Sequence, residues 1–425
     1  MNIHFTTFGC KVNMYESECL RCLFEEQGYV CTDDRDNADV FVVNSCTVTR
    51  DSDVKLFKAL RRIRREHPEG IIVLMGCYPQ AHGVTEEITA DIITGTKDRK
   101  KIIEMVDRFI ADRSPAVSIP PLERNDPFEN IYAPSIHGHT RAFMKITDGC
   151  AMNCTYCIIP RSRGAVRCKS IGDIRREAKI FAANGYKEIV LIGINLMCYR
   201  DGKKRLADAV EACVTDGIER IRLSSIEPEM MRRDDLLRMR DTGIFCPSFH
   251  LALQSGCDKV LREMGRHYTT DEYRKIVDLC REVFPGCGIS ADIMVGFPGE
   301  TDEDHRQSAR FIRDIGFSDM HVFMYSPRES TPAAARTDQI PPEIKKLRAD
   351  QISSIGRESS RLFLENHIGK VFPVLTERPG RDGIAHGHAP DNSHVKIFTE
   401  NILPNSILYV RIDNVGDNFC SGHCI

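Results

Sequence analysis

Residues 145–160 read Lys145-Ile-Thr-Asp-Gly-Cys150-Ala-Met-Asn-Cys154-Thr-Tyr-Cys157-Ile-Ile-Pro160 and carry three closely spaced cysteines. Thiols at this spacing cannot all point outward from one regular strand or helix, so we expect the segment to wrap around a ligand. Thiolates select zinc or iron–sulfur clusters, and a structural zinc site needs four protein ligands. This loop offers three. A cubane cluster held by three cysteines keeps one iron open for a small molecule.

A zinc site is the alternative interpretation of the same loop, with Cys168 or a nearby histidine as the fourth ligand. The loop also resembles the signature of the radical S-adenosylmethionine (SAM) enzymes, which has this spacing and an aromatic residue before the last cysteine, here Tyr156. The resemblance implies that Cys150, Cys154 and Cys157 are catalytic and hold a [4Fe-4S] cluster. It also implies that SAM binds the open iron, where one electron splits its S–C bond and yields a 5′-deoxyadenosyl radical.

Length and composition set the wider limits. A chain of 425 residues is too long for one ordinary core and suggests two or three domains. The 58 Lys and Arg residues face 61 Asp and Glu residues, so no global basic field indicates a nucleic-acid partner. The sequence has no signal-peptide pattern and no membrane-spanning stretch, which predicts a cytoplasmic protein. In that compartment its 18 cysteines indicate metal ligands or buried small residues, not disulfides.

Three further cysteines follow three predicted strands near the amino terminus. Strand-like runs at 3–8, 39–44 and 71–75 end near Cys10, Cys46 and Cys77, and helical segments follow them, the first with Asn13 as its predicted cap. Alternating strands and helices imply a parallel sheet, whose ligands bind beyond the carboxyl ends of its strands. The three thiols are therefore expected to converge as ligands of a second cluster. Three separately buried thiols are the alternative.

The residues around these cysteines resemble the amino-terminal domain of the methylthiotransferases, a radical SAM family with an auxiliary cluster. The matching segments are Thr7-Phe-Gly-Cys-Lys-Val-Asn13, Asn44-Ser-Cys-Thr-Val-Thr49 and Met75-Gly-Cys-Tyr-Pro79. The resemblance implies a second [4Fe-4S] cluster that presents methylated sulfur, and a second SAM that supplies the methyl group. Gly-Cys-Lys-Val-Asn is similar to the branch acting on N6-threonylcarbamoyladenosine at position 37 of tRNA, next to the anticodon. Isopentenyladenosine in tRNA and a ribosomal-protein aspartate are the substrates of the other branches.

A proline-rich segment at 114–134 is interpreted as a linker. After it, strand-like runs alternate with helical segments such as 171–183 and 271–283. Six such units can curl into an incomplete barrel, whose site lies at the carboxyl ends of its strands. The resemblance implies the partial (β/α)6 barrel of the radical SAM enzymes. The predicted strands are 142–147, 188–193, 219–224, 249–253, 289–295 and 320–325.

Glycines and polar side chains at or near these strands suit a nucleoside and an amino acid. The resemblance implies that they bind SAM together with Tyr156, although each alone has an ordinary explanation as a cap or a turn residue. The predicted cofactor-binding residues are Gly193, Asn195, Ser225, Glu227, Gln254, Asp292 and Gly296.

The carboxyl-terminal part changes in character. A helix is predicted from Pro342 to about residue 365, followed by β-like runs at 370–377, 394–398 and 407–413, which predict a small β-barrel. The barrel resembles the TRAM domain, which implies contact with tRNA. Cys420 and Cys424 are interpreted as thiols that bind no metal.

The sequence thus predicts an α/β protein with a parallel amino-terminal domain at 1–115, a partial radical SAM barrel at 135–365 and a TRAM-like β-barrel at 366–425. The predicted partners are the anticodon stem-loop of tRNA and an electron donor such as flavodoxin or ferredoxin. A monomer without membrane attachment is favoured. A zinc-stabilised RNA-binding protein is the non-enzymatic alternative.

Overall fold

The computed structural model describes residues 1–377, 379, 384–399 and 402–425. The chain divides into two compact units. The first contains residues 1–137, 147–169 and 326–334, and the second contains residues 138–146, 170–325 and 335–425. Across the described part of the chain no disulfide joins any two of the 18 cysteines.

The first unit is built on a six-stranded sheet in the order β2-β1-β3-β4-β5-β6, and every recorded pairing within it is parallel. Its strands are β1 (Asn2–Thr7), β2 (Val30–Cys31), β3 (Val40–Ser45), β4 (Ile71–Gly76), β5 (Ile92–Thr94) and β6 (Ala116–Ser118). Its helices up to this point are α1 (Lys11–Glu26), α2 (Arg50–Glu66), α3 (Cys77–His82) and α4 (Lys101–Asp112).

Both faces of this sheet are covered, as a parallel sheet requires. Alternate residues of β3 point to opposite faces. Val40 and Val42 join a core with residues of α1 and α4, whereas Phe41 and Val43 join a core with residues of α2. The central strands β3 and β4 are consequently buried along their whole length.

Two predictions in this unit are wrong in detail. Helix α1 begins at Lys11 with Cys10 as its N-cap residue, so Asn13 lies in the first turn and does not cap the helix. The Asn13 amide instead donates to the carbonyl oxygens of Phe8 and Ser45, both at 2.9 Å. The predicted linker also contains β6, which pairs with β5 and extends the sheet.

The first unit also includes the cysteine-rich segment of residues 147–169. Strand β7 (Ala142–Asp148) enters this segment, and its last two residues pair antiparallel with β8 (Arg167–Cys168). Helix α5 (Ile159–Arg163) lies between them. The three cysteines therefore lie on a loop that leaves a buried strand.

The second unit contains the remaining parallel strands, which lie within two residues of the predicted bounds at each end except for β11, where the strand ends three residues early. Its strands up to the barrel are β9 (Glu188–Gly193), β10 (Arg220–Leu223), β11 (Ser248–His250), β12 (Gly288–Val295) and β13 (Asp319–Met324). Its helices are α6 (Ile171–Ala183), α7 (Leu206–Ala212), α8 (Arg233–Asp241), α9 (Asp258–Glu263), α10 (Thr270–Val283), α11 (Asp302–Ile315) and α12 (Pro342–Glu365).

These strands form the predicted incomplete barrel. Strand β9 lies between β7 and β10, and β12 lies between β11 and β13. Parallel bridges from Ile221 to Phe245 and from Ile226 to Leu251 continue the pairing beyond β10. In β12 the side chains of Ser290, Asp292 and Met294 alternate with buried residues, so they line the inner side of the barrel wall.

A closed five-stranded β-barrel in the order β14-β15-β16-β18-β17 ends the second unit and confirms the predicted fold class. Its strands are β14 (Val371–Thr376), β15 (Ala385–His388), β16 (His394–Ile397), β17 (Ile407–Val415) and β18 (Cys420–Cys424). The sequence did not indicate β15 or β18. Cys420 is fully buried in the core of this barrel.

A buried ion pair stabilises the wall of the second unit. Glu188 and the two arginines of β10 are almost fully buried, and Arg222 Nε lies 2.8 Å from Glu188 Oε1 while Arg220 lies 3.6 Å from Oε2. Burial alone would raise the pKa of Glu188, but the charge and hydrogen bonds of Arg222 outweigh it and lower the pKa from 4.5 to about 2. Arg222 also donates to the carbonyl oxygen of Pro390 at 2.9 Å.

Replacing Glu188 by glutamine is therefore expected to lower the free energy of unfolding by about 3 kcal/mol, because it leaves two buried arginines without their carboxylate. Because a lowered pKa stabilises the fold above the ordinary value of 4.5, this contribution is lost as the pH falls towards 2. Denaturant unfolding at neutral and acid pH tests both points. Glu211→Gln, at a half-exposed pair with Arg238, is the control and should cost less than about 1 kcal/mol. Equal losses in the two variants would contradict the prediction.

No helix among the described residues is long and apolar enough to cross a membrane.

Candidate functional site

The structure brings Cys10, Cys46 and Cys77 to one edge of the first unit's sheet. Each follows the carboxyl end of one of three adjacent parallel strands, β1, β3 and β4. Cys10 Sγ donates to Asn13 Oδ1 at 3.7 Å, and the same oxygen accepts from Arg163, whose Nε donates to Cys77 Sγ at 3.3 Å. Cys46 and Cys77 are buried, whereas Cys10 is exposed.

Gly9 shows how closely two of these loops approach. Its φ is +104°, and a Cβ added there would lie 2.7 Å from the Cβ of Cys46 and 3.1 Å from its Sγ. A side chain at position 9 would have to displace the Cys46 side chain. Glycine before Cys10 is thus required by the geometry of the site.

Replacing Gly9 by alanine is expected to weaken metal binding by the three cysteines, because the new methyl group pushes the Cys46 side chain away. Gly28→Ala is the matched control, since its φ is also positive, at +83°, but nothing lies within 4 Å of the added Cβ. In both variants an alanine at positive φ lowers the free energy of unfolding by about 1–2 kcal/mol. Iron and sulfide analysis after anaerobic reconstitution should show a loss of about four irons in Gly9→Ala alone. A full complement in Gly9→Ala would contradict this interpretation of the clash.

Burial controls the protonation of these ligands. It raises the pKa of Cys77 to about 11 against the opposing charge of Arg163, and it also raises the pKa of Cys46. Both thiols are therefore protonated at neutral pH until a metal displaces the protons.

Arg163 is a residue of this site that the sequence did not reveal. It lies at the end of α5 with no exposed side-chain area, and its Nε donates to Cys77 Sγ at 3.3 Å. Its other two nitrogens donate to Glu16 Oε1 at 2.5 Å and to Asn13 Oδ1 at 2.7 Å. No periodicity or motif in the sequence joins position 163 to position 77, so only the folded chain shows the contact.

The cysteine-rich loop is held by its own backbone. The Cys150 amide donates to the Gly164 carbonyl oxygen at 3.0 Å, and the Cys157 amide donates to the Cys154 carbonyl oxygen at 3.1 Å. The Met152 amide donates to Cys150 Sγ at 3.3 Å. Cys154 is buried, and Cys150 and Cys157 are half-buried.

The loop trio (Cys150, Cys154 and Cys157) and the auxiliary trio (Cys10, Cys46 and Cys77) both have donor chemistry that fits iron–sulfur clusters. Each trio supplies three sulfur ligands, which is the ligand type that such clusters use. A sulfur atom in each trio accepts a hydrogen bond, from the Met152 amide in one case and from Arg163 in the other. Hydrogen bonds to ligand sulfurs stabilise the negative charge of a cluster.

The residues predicted to bind SAM lie in the second unit, apart from Tyr156 in the cysteine loop. Gly193 ends β9, and Asn195 two residues later accepts from the Met197 amide at 3.2 Å. Exposed Ser225 and half-buried Glu227 follow β10. These four residues thus lie at or beyond the ends of β9 and β10.

The remaining three lie on the other half of the barrel wall. Gln254 has a φ of +66°, and its amide and carbonyl groups pair with Asp292 and Met294. Gly296 directly follows β12, and its amide donates to Glu300 at 3.1 Å. Asp292 instead lies in the middle of β12.

Two histidines flank the Asp292 carboxylate. His250 Nε2 lies 3.2 Å from one oxygen and His321 Nδ1 lies 3.3 Å from the other. Burial opposes ionisation of Asp292, but the hydrogen bonds of the two histidines outweigh it and hold its pKa well below the usual range. The sequence did not indicate this pairing, because the two histidines and Asp292 are far apart along the chain. Together they place a charged group on the inner wall of the barrel.

Comparisons with known proteins agree with this architecture. Residues 144–312 match the Radical SAM superfamily, and residues 2–95 match a family described as Uncharacterized protein family UPF0004. Threonylcarbamoyladenosine tRNA methylthiotransferase MtaB of Bacillus subtilis (strain 168) is 34% identical over 385 residues, which are 88% of this chain and 84% of that protein.

A second similar protein carries a different name. The tRNA-2-methylthio-N(6)-dimethylallyladenosine synthase of Symbiobacterium thermophilum is 32% identical over 434 residues, covering 97% of this chain and 92% of that protein. Among solved structures, the radical S-adenosylmethionine methyltransferase TsrM from Kitasatospora setae, with cobalamin and a [4Fe-4S] cluster bound, superposes with a TM-score of 0.60. It is 13% identical, and the match covers 78% of this chain and 77% of that chain, so the likeness extends to the fold.

Proposed function

Because the chain belongs to the radical SAM methylthiotransferase family, we propose that it converts N6-threonylcarbamoyladenosine beside the tRNA anticodon to its 2-methylthio derivative. The observation that carries this proposal is the 34% identity to the Bacillus subtilis protein named for that nucleoside. A relative from Thermotoga maritima with the same name is also 34% identical, over 93% of this chain. Gly9-Cys10-Lys11-Val12-Asn13 supports the same branch.

In this proposal the six cysteines bind two clusters with different roles. Cys150, Cys154 and Cys157 hold the cluster that reduces SAM, and Cys10, Cys46 and Cys77 hold an auxiliary cluster that supplies sulfur. When bound, these clusters provide the electron and the sulfur, and SAM provides the radical and the methyl group. The backbone bonds of the cysteine loop fix the first trio, while Gly9 and Arg163 fix the second.

SAM is proposed to contact residues at or near the strand ends of the barrel, together with Asp292 in the middle of β12. Gly193 ends β9 and Gly296 directly follows β12, so their backbones lie at strand ends, while Asn195, Glu227 and Gln254 carry polar side chains. Ser225 and Asp292 offer a hydroxyl and a carboxylate, and Tyr156 lies next to a cluster ligand. The ribose, the methionyl amine and the adenine each need such partners.

The terminal β-barrel is proposed to contact tRNA. Phe398 and Tyr409 are exposed on it, at 60% and 61% of their areas, and exposed aromatic rings stack on unpaired bases. Lys396 lies over the Phe419 ring, 4.6 Å from its centroid, and adds a positive charge to this surface. Reduction of the first cluster needs a one-electron carrier, such as flavodoxin or ferredoxin.

Isopentenyladenosine is the second candidate substrate. The relative from Symbiobacterium thermophilum, named for dimethylallyladenosine, matches a larger share of this chain than the Bacillus protein does. The two nucleosides differ chemically, because the threonylcarbamoyl group carries a carboxylate and the isopentenyl group is apolar.

One experiment separates the candidates. Reconstituted enzyme is incubated anaerobically with SAM, sulfide, dithionite and tRNA carrying either nucleoside, and the digested nucleosides are analysed by mass spectrometry. The proposal expects the methylthio product from threonylcarbamoyladenosine tRNA alone. Product only from isopentenyladenosine tRNA would replace it by the second candidate, and product from neither would reject both.

A further inference from the structure

Arg163 is a buried cation to which the proposed chemistry gives no part beyond holding Cys77 in place. A guanidinium without solvent contact is stable only where fixed acceptors and negative charge surround it. Its three nitrogens reach Cys77 Sγ, Asn13 Oδ1 and Glu16 Oε1. The two terminal nitrogens of the guanidinium thus donate to Glu16 and Asn13, and its Nε donates to the Cys77 sulfur.

The surrounding charges are balanced by a small network. Glu16 also pairs with Arg99 at 2.7 Å, and Asp148 lies 3.5 Å from Arg163 and 3.4 Å from Arg167. Arg99 in turn pairs with Glu129. Removal of the Arg163 charge would therefore leave these carboxylates with one cation fewer beside the thiol ligands.

The same side chain also ties the auxiliary ligands to the cysteine-rich loop. Arg163 ends helix α5, which comes after Cys157 in the chain. Its partner Asp148 ends β7, shortly before Cys150. A guanidinium that pairs with Asp148 at 3.5 Å and donates to Cys77 Sγ links both flanks of the loop to the auxiliary ligand. All of these residues belong to the first unit.

We propose that Arg163 is a positioning residue for the auxiliary cluster: it holds the Cys77 ligand and raises the reduction potential of the cluster by stabilising its negative charge. Net charge and hydrogen bonds to ligand sulfur set the potential of an iron–sulfur cluster. The inference rests on the proposed function in one respect, namely that Cys10, Cys46 and Cys77 bind such a cluster.

The test is a redox titration of the anaerobically reconstituted full-length protein, followed by electron paramagnetic resonance. The auxiliary signal is the one lost in Cys46→Ala. Arg163→Met is expected to change the ratio of oxidised to reduced auxiliary cluster at a fixed potential by at least about tenfold, a fall of 59 mV for a one-electron couple. Arg161→Met removes an exposed arginine from the same helix and should leave the potential unchanged. An unchanged potential in Arg163→Met overturns the inference.

Two further variants distinguish a change in reduction potential from a folding defect. Glu16→Gln combined with Arg163→Met keeps the network balanced, and its auxiliary potential should still fall because the hydrogen bond to Cys77 is gone. Arg163→Lys keeps the charge, so its potential should lie between those of wild type and Arg163→Met. A lysine variant as low as the methionine variant would overturn the electrostatic role.

Failure of the proposed function gives a different result. A wild-type protein with only about four irons, unchanged in Cys46→Ala, would lack the auxiliary cluster and would overturn the function and the inference together. Two clusters in wild type, with equal potentials in wild type and Arg163→Met, would overturn the inference alone.

Discussion

Replacing Cys154 by alanine is expected to abolish reductive cleavage of SAM. Cys154 is the buried member of the loop trio, and its carbonyl group also anchors the Cys157 amide. A cubane cluster with only two remaining protein ligands is not held, so no iron is left to bind SAM. With dithionite as reductant, chromatography should detect no 5′-deoxyadenosine above background, and the iron content should fall by about four per chain.

Cys168 provides the matched control for this variant. It lies in β8, and it is the cysteine that a zinc site would use as its fourth ligand, with a nearby histidine as the other candidate. Cys168→Ala should therefore retain SAM cleavage and the full iron content. If Cys168→Ala lost its metal together with Cys154→Ala, four-ligand zinc binding would be favoured.

The second large effect is expected from Cys46→Ala. This variant keeps the loop trio intact, so it should still cleave SAM, but it should form no methylthiolated nucleoside because the site proposed to supply sulfur has lost a buried thiol. Mass spectrometry of digested tRNA and chromatography of 5′-deoxyadenosine on the same reaction separate the two activities. The expected result is product at background with cleavage retained.

Cys19→Ala is the control here. Cys19 is also buried in the first unit, but its Sγ donates to the Ile131 carbonyl oxygen at 3.5 Å and it lies in the middle of α1. It should retain both activities. Identical behaviour of Cys46→Ala and Cys154→Ala in the cleavage assay would refute the proposed division between the two trios.

Much of the fold was predictable because its strands are short apolar runs with clear ends. Strand β3 was expected at 39–44 and lies at Val40–Ser45, and β9 was predicted at its observed bounds. The meeting of Cys10, Cys46 and Cys77 was predictable for the same reason, since adjacent parallel strands end at one edge.

What could not be predicted depends on contacts between distant residues. Arg163 has an ordinary sequence neighbourhood, and its contact with Cys77 exists only after folding. Asn13 has the composition of a cap, but its amide bonds to the Phe8 and Ser45 carbonyl groups, which outcompete local capping. Strand β18 was missed because Cys420-Ser-Gly-His-Cys424 has a low strand propensity, and its pairing with β16 and β17 supplies the order.

The unequal exposure of the auxiliary thiols has a consequence for assembly and damage. Cys46 and Cys77 are enclosed by protein, while Cys10 faces solvent. For the proposed auxiliary cluster, iron during maturation and oxidants afterwards are therefore expected to arrive from the Cys10 side. Air inactivation is expected to begin at that one sulfur atom, long before the enclosed pair reacts.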